Sequence, residues 1–171
     1  MGAMMVFLIA RSGVEHMRLD QMFKIEFLCD DLLSRSKTDV LAELINVLIK
    51  SGLAIDSAKA IDMLQQREKL GSTGIGDGVA IPHAKVSDID EIVVVFGRSR
   101  EGITFDAIDG KPVQLFFLLL APENSAGQHL KALARISKML KKPNFRKKLI
   151  DAKTKNDLFK VIVEHDASNS L

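Results

Sequence analysis

The chain reads GSTGIGDGVAIPHA from Gly71 to Ala84. Four glycines fall within eight of these residues, so the backbone can turn tightly and approach another group closely. The apolar run Gly78–Ile81 predicts a short strand, and Pro82 then restricts the backbone that leads into His83. A histidine held at the end of a stiff strand, beside a glycine-rich turn, suits a nucleophile that accepts an anionic group.

Two helices are predicted before this stretch. Ser36 is followed three residues later by Asp39, which is typical of a capped helix start, and Gly52 ends that helix. Asp56 caps the second helix, which runs to about Leu70. Three further helix starts are predicted in the last third of the chain, at His129, Pro143 and Thr154.

Two continuous apolar runs, residues 92–96 and 113–120, predict buried strands. A third, short strand is predicted at residues 103–105. Helices that flank buried strands indicate an α/β layer fold, and a length of 171 residues fits a single domain.

The ends of the chain are expected to lie outside that domain. Residues 1–22 are interpreted as an N-terminal appendage, residues 23–166 as the packed domain and residues 167–171 as a frayed C-terminus. The apolar segment 4–10 is too short to span a bilayer, and no basic residue precedes it as in a secretory signal. We therefore expect no membrane insertion.

Composition excludes several classes of function. A net charge of +2 and the lack of Trp and Tyr argue against a nucleic-acid surface. A single cysteine, Cys29, fits a reducing compartment and so a cytoplasmic protein.

The motifs of cofactor sites are missing from the sequence. The glycine turn follows a helix, and Val79 stands where a dinucleotide fingerprint needs its third glycine. No His, Cys or carboxylate cluster has metal-site spacing. We expect no metal and no nucleotide cofactor.

His83 is the candidate nucleophile. One ring nitrogen of a histidine can attack a phosphoryl group if the other donates to a fixed acceptor, and its ordinary pKa of about 6.5 leaves it mostly neutral near pH 7. A phosphate on His83 needs donors. Backbone N–H groups of the glycine turn offer an anion-binding nest, formed at Thr73, Gly74, Gly76 and Gly78.

Two further side chains are candidates for the same site. Arg67 offers a planar fork of donors for phosphate oxygens, and His129 is predicted at a helix N-terminus, which favours anions. From the residues alone, a solvated helix charge at Arg67 and an ordinary helix residue at His129 are the favoured interpretations.

Taken together, several strings resemble one known family, the fructose, mannitol and nitrogen-regulatory type of phosphotransferase-system IIA domain. The similarity extends from about Leu32 to the last helix. Its most specific pieces are Arg67–Gly76, Ile81–His83, Phe105–Asp109 and His129–Leu130. Ala84 stands where several family members have glycine.

This resemblance implies a mixed sheet with helices on both faces. It also implies that His83 is phosphorylated by the phosphocarrier HPr and passes the phosphoryl group to a IIB partner. Arg67 and His129 would stabilise the phosphoryl group in transit. The expected activity is that of a phosphotransferase-system component with a transient phosphohistidine, in which both donor and acceptor are proteins.

Two alternatives remain open. The first is a purely regulatory, nitrogen-type protein that binds kinases or ion transporters according to its phosphorylation state; the Arg67–Gly76 string looks closer to that branch. A basic stretch between Lys138 and Lys148 offers such a partner a docking surface. The second alternative is a module that binds an anion without covalent chemistry.

Overall fold

The computed structural model describes residues 17–169. Two single-turn 3₁₀ helices, Leu19–Gln21 and Ile25–Phe27, open this part of the chain. Its α-helices are α1 (Lys37–Lys50), α2 (Ser57–Lys69), α3 (Ala126–Leu140), α4 (Pro143–Asp151) and α5 (Lys155–Ser168). Its strands are β1 (Leu28–Cys29), β2 (Gly74–Gly76), β3 (Val79–Ala80), β4 (His83–Val86), β5 (Val93–Ile103) and β6 (Val113–Pro122).

Local capping starts several of these helices where the sequence predicts. The Ser36 hydroxyl accepts the Asp39 N–H at 3.1 Å and begins α1. At the start of α5, Thr154 and Asp157 each accept the other's backbone N–H at 3.1 Å. One start differs: α3 begins at Ala126, three residues before the predicted position, so His129 lies inside its first turn.

The six strands form one mixed sheet in which β6 is central. It pairs antiparallel with β5 on one side. On its other side it pairs parallel with β3 and then with β4. Outside these, β1 runs parallel to β5 and β2 antiparallel to β3. The predicted strand at 103–105 is wrong, because Ile103 is the last residue of the long strand β5 and residues 104 and 105 follow it outside the ladder.

Helices cover both faces of this sheet, as neighbouring residues of β5 show. A Cβ built on Gly97 would lie 2.6 Å from the Leu44 side chain of α1. The next residue, Arg98, points to the opposite face, where its Nη1 donates to the Leu149 carbonyl of α4 at 2.9 Å. Because successive strand residues face opposite sides, α1 and α4 lie on opposite faces. The predicted fold class, a single α/β domain with a mixed sheet between helices, is confirmed.

Arg98 is a buried cation that caps the end of α4. Only 1% of the residue is exposed. Its guanidinium donates to the carbonyls of Leu149, Ile150 and Ala152, and its Nε donates to the Asp30 carbonyl at 3.0 Å. Burial lowers the pKa of Arg98. The partial negative charge of the helix C-terminus favours a cation at this place.

The packed domain extends beyond the predicted boundaries at both ends. Leu19 and Met22 are buried, and the Leu19 N–H donates to the Asp166 carboxylate at 2.8 Å, so residues 19–22 are part of the domain rather than an appendage. At the other end α5 continues to Ser168, because its last turn is hydrogen-bonded. Residues 1–16 and 170–171, which the predicted termini include, lie outside the described residues. Between residues 17 and 169, no helix has the length and apolar character needed to cross a membrane.

Candidate functional site

His83 is the first residue of β4, at the point where the chain moves from β3 to β4 alongside β6. It lies opposite Leu119 in the parallel ladder. Pro82 has no N–H to give to the sheet, but its carbonyl accepts the Leu119 N–H at 2.9 Å and fixes the chain directly before the histidine. The histidine begins a new strand instead of ending the preceding one, as the sequence had suggested.

Two contacts define the protonation of the His83 ring. Nδ1 lies 2.9 Å from the Ile81 carbonyl oxygen, which can only accept, so Nδ1 carries the proton. Nε2 lies 3.2 Å from Arg67 Nε, whose N–H can only donate, so Nε2 presents its lone pair. These contacts fit a neutral ring with its proton on Nδ1 and a lone pair on Nε2.

Arg67 is held in place from two directions. It lies in the last turn of α2, and its Nη1 donates to the Gly71 carbonyl at 2.9 Å, just after the helix ends. Its Nε is the donor that lies next to Nε2 of His83. A phosphoryl group arriving at Nε2 would find a guanidinium that is already oriented.

His129 reaches the same place from α3. Together with Arg67 and His83 it lines a cavity of about 680 Å³. Its Nδ1 is buried and has no hydrogen-bond partner among the residues that the structure describes. The structure thus brings together the three side chains that the resemblance placed in one site, although they lie in three different elements.

The cavity is electropositive. Lys69 and Lys85 also line it, and the described lining residues include no carboxylate. Lys85 was not predicted from the sequence. It lies two residues after His83 in a strand, a spacing that puts both side chains on one face. Such a site favours an anionic ligand.

The pKa of His83 is lowered, and burial is the largest cause. The hydrogen bond to Ile81 opposes this change. The positive charge of Arg67 lowers the pKa further, Glu68 raises it and His129 lowers it. The net lowering of the pKa favours the unprotonated form of Nε2.

Two of the four N–H groups predicted for the phosphate nest have hydrogen-bond partners nearby in the chain. The Thr73 N–H donates to the Glu68 carboxylate at 3.2 Å, and the Gly74 N–H donates to the Ser72 hydroxyl at 3.0 Å. The Asp77 N–H donates to the Asp109 carboxylate at 3.0 Å. The described residues that line the His83 cavity include none of the four predicted nest positions, Thr73, Gly74, Gly76 and Gly78.

The glycines instead let the turn pack against the loop at 105–109. A Cβ on Gly74 would lie 2.8 Å from the Ala107 Cα, and the Gly74 carbonyl accepts the Ile108 N–H at 3.0 Å. Gly76 has a φ of +92°, which favours glycine. The Ser72 hydroxyl donates to the Phe105 carbonyl at 2.9 Å. Two of the strings matched in the sequence are therefore one structural unit.

Comparisons with known proteins identify the family of the chain. A family model described as "Phosphoenolpyruvate-dependent sugar phosphotransferase system, EIIA 2" matches residues 21–165. The chain is 37% identical over 133 residues to the PTS system fructose-specific EIIABC component of Bacillus subtilis (strain 168). That match covers 78% of this chain but only 21% of the Bacillus protein.

Solved structures give the same result. The nitrogen regulatory protein IIA-Ntr of Neisseria meningitidis superimposes with a TM-score of 0.77 at 33% identity, covering 83% of this chain and 97% of that one. IIA mannitol of Escherichia coli, in complex with phosphorylated IIB mannitol, has the same fold with a TM-score of 0.70 at 19% identity, covering 84% of this chain and 99% of that one. The chain therefore belongs to the EIIA 2 family of the phosphoenolpyruvate-dependent sugar phosphotransferase system.

Proposed function

We propose that this protein is a phosphoryl carrier that accepts phosphate on His83 from HPr and passes it to a IIB component. One observation carries the proposal. His83 Nδ1–H donates a hydrogen bond to the Ile81 carbonyl, and Nε2 faces Arg67 at the wall of a cavity whose described lining residues include no carboxylate. This combination suits a nucleophile for an anionic group.

The transfer would proceed through Nε2. Its lone pair attacks phosphorus of the phosphorylated donor, an N–P bond forms, and the bond from phosphorus to the donor's leaving atom breaks with its electron pair. In the second transfer, the acceptor's nucleophile attacks phosphorus and the N–P electron pair returns to Nε2. Nδ1 keeps its proton in both steps, so the ring departs as neutral imidazole. Positioning and charge stabilisation supply most of the catalysis of such transfers.

Arg67 and His129 are assigned to the phosphoryl oxygens. The guanidinium fork already lies beside Nε2, and donors that are oriented before the reaction stabilise the developing charge most effectively. His129 brings an imidazole with a buried Nδ1 to the same cavity. Their role is to balance the charge that the phosphoryl group brings.

The exposed apolar residues at the rim of the cavity favour a protein as the binding partner. Leu70 lines the cavity and is 85% exposed, and Leu130, next to His129, is 61% exposed. Large apolar side chains exposed around a charged site are typical of a protein-binding surface. HPr and a IIB component would bind here in turn, through the small interface of a transient complex.

A regulatory role is the second candidate. It is favoured by the similarity to IIA-Ntr, whose chain this protein covers almost completely. Phosphorylation adds about two negative charges to the electropositive cavity, so it would change the fit of a partner such as a kinase or an ion transporter. A pull-down with the wild type, His83→Ala and His83→Asp, together with sugar-uptake tests, separates the two roles. Recovery of a IIB component, with sugar uptake lost when the protein is deleted, indicates transport. Recovery of proteins that distinguish the variants, with sugar uptake intact, indicates regulation.

The direct test is phosphorylation by phosphoenolpyruvate, enzyme I and HPr. We expect one phosphoryl group, acid-labile and alkali-stable as an N–P bond is, in the wild type and none in His83→Ala. His165→Ala is the matched control, because His165 stacks on Phe145 and lies outside the cavity. Phosphate bound without a covalent adduct would instead support the non-covalent anion-binding module.

A further inference from the structure

Glu68 is a buried carboxylate that has no part in the transfer described above. Only 6% of its side chain is exposed, and it is not among the residues that line the cavity. It accepts the backbone N–H of Thr73 at 3.2 Å and also the Thr73 hydroxyl. The Lys37 Nζ lies 2.9 Å from Glu68 Oε2 and neutralises the charge of the carboxylate.

A continuous series of hydrogen bonds joins this carboxylate to the nucleophile. Glu68 holds Thr73 through both the backbone N–H and the hydroxyl. The Thr73 carbonyl accepts the Ile81 N–H at 3.0 Å. The Ile81 carbonyl in turn accepts the His83 Nδ1 proton at 2.9 Å. The acceptor that decides the protonation of the ring is therefore fixed by contacts that end at Glu68.

We propose that Glu68 is a positioning residue, which acts through Thr73 and Ile81 to hold the carbonyl that keeps the proton on His83 Nδ1. The inference rests on the proposed phosphoryl transfer at Nε2. It assigns different tasks to adjacent residues of α2: Arg67 contacts Nε2 directly, and Glu68 controls the far side of the ring through the glycine turn.

Holding the Nδ1 proton affects both transfers. Before phosphorylation it leaves the lone pair on Nε2, where the phosphoryl group must arrive. After phosphorylation it lets the ring leave as neutral imidazole instead of an anion. The direct charge of Glu68 opposes this effect, because it raises the pKa of His83, but burial outweighs it and the pKa is lowered on balance.

Lys37 makes this buried carboxylate tolerable. An unpaired charge in the interior is strongly disfavoured, whereas a paired and hydrogen-bonded charge is retained. Lys37 is itself held by the Phe105 ring, whose centroid lies 4.8 Å from Nζ, and by Asp106 at 3.5 Å. The same loop that packs against the glycine turn thus supports the partner of Glu68.

The test compares Glu68→Gln and Thr73→Val with a matched control, Glu43→Gln. Glu43 has the same kind of anchoring task elsewhere, since its carboxylate accepts the N–H groups of Leu33 and Ser34, each at 2.9 Å. The first readout is the ¹⁵N spectrum of the His83 ring, which reports the tautomer without any phosphorylation. The second is the rate of phosphoryl transfer from phosphorylated HPr.

We expect Glu68→Gln and Thr73→Val to lower the fraction of ring protonated at Nδ1 and to slow transfer by about tenfold or more, the size of the loss when a metal-bound histidine loses the partner that orients it. Thr73→Ser, which keeps the hydroxyl, should restore both. An unchanged tautomer in the two variants, or an equal loss in Glu43→Gln, would overturn the proposal. If Glu68→Gln does not fold, Thr73→Val alone decides. If the wild type is never phosphorylated, the proposed function fails while the tautomer comparison still tests the role of Glu68.

Discussion

Replacing Gly74 by alanine tests whether the glycine turn serves packing. The added Cβ would lie 2.8 Å from the Cα and 2.9 Å from the Cβ of Ala107, closer than side-chain carbons approach, so backbone would have to move. Overpacking of this kind costs about 1–3 kcal/mol in the free energy of unfolding. At this chain length about 1 kcal/mol lowers Tm by roughly 2–4 °C, so Tm should fall by about 2–12 °C.

The assay is thermal and urea unfolding followed by circular dichroism, with Gly127→Ala as the matched control. Gly127 lies in α3 with no atom within 4 Å of a built Cβ. Alanine there should leave stability unchanged or raise it by about 0.5–1 kcal/mol, because glycine is the poorer helix former. If Gly74→Ala were as stable as Gly127→Ala, the close packing of the turn on Ala107 would be refuted.

Three further predictions concern the site and the core. Arg67→Lys and His129→Ala should fold normally but transfer phosphate about 10²-fold more slowly, and transfer rates equal to the wild type would return both residues to ordinary surface roles. Burial and the charge of Arg67 lower the pKa of His83, so the NMR titration of the ring should have a midpoint below the ordinary 6.5. Phosphoryl acceptance should then persist as the pH falls from 7.5 to 6.5. A titration midpoint at or above 6.5 would contradict this. Arg98→Met should lose roughly 3 kcal/mol in urea unfolding because several buried carbonyls lose their donor, and a loss below about 1 kcal/mol would show that they are satisfied otherwise.

Features set by nearby residues were predictable from the sequence. The caps at Ser36 and Thr154 depend on a partner three residues away, and the structure has them as predicted. The apolar run of β6 is buried on both faces, and its continuous pattern already indicates this. Strands β2 and β4 were missed, because they have only three and four residues and are defined by their pairing with other strands.

In the site, too, features set by nearby residues could be predicted and contacts between distant residues could not. His83 could be identified because the glycine turn and Pro82 precede it directly in the sequence. The grouping of Arg67 with His129 depends on tertiary packing, so only the family resemblance suggested it. In the predicted nest, the Thr73 and Gly74 N–H groups donate to Glu68 and Ser72, which are side chains close by in the sequence, and the glycine pattern alone does not report these acceptors.

The central claim is that Nε2 of His83 is the phosphorylated atom. The most direct measurement is ¹⁵N and ³¹P NMR of the phosphorylated protein, labelled with ¹⁵N in its histidine rings, because coupling to phosphorus identifies the bonded nitrogen. The tautomer fixed by Ile81 predicts coupling at Nε2 of His83, with the proton retained on Nδ1. Coupling at Nδ1, or at a nitrogen of another histidine, would contradict the account.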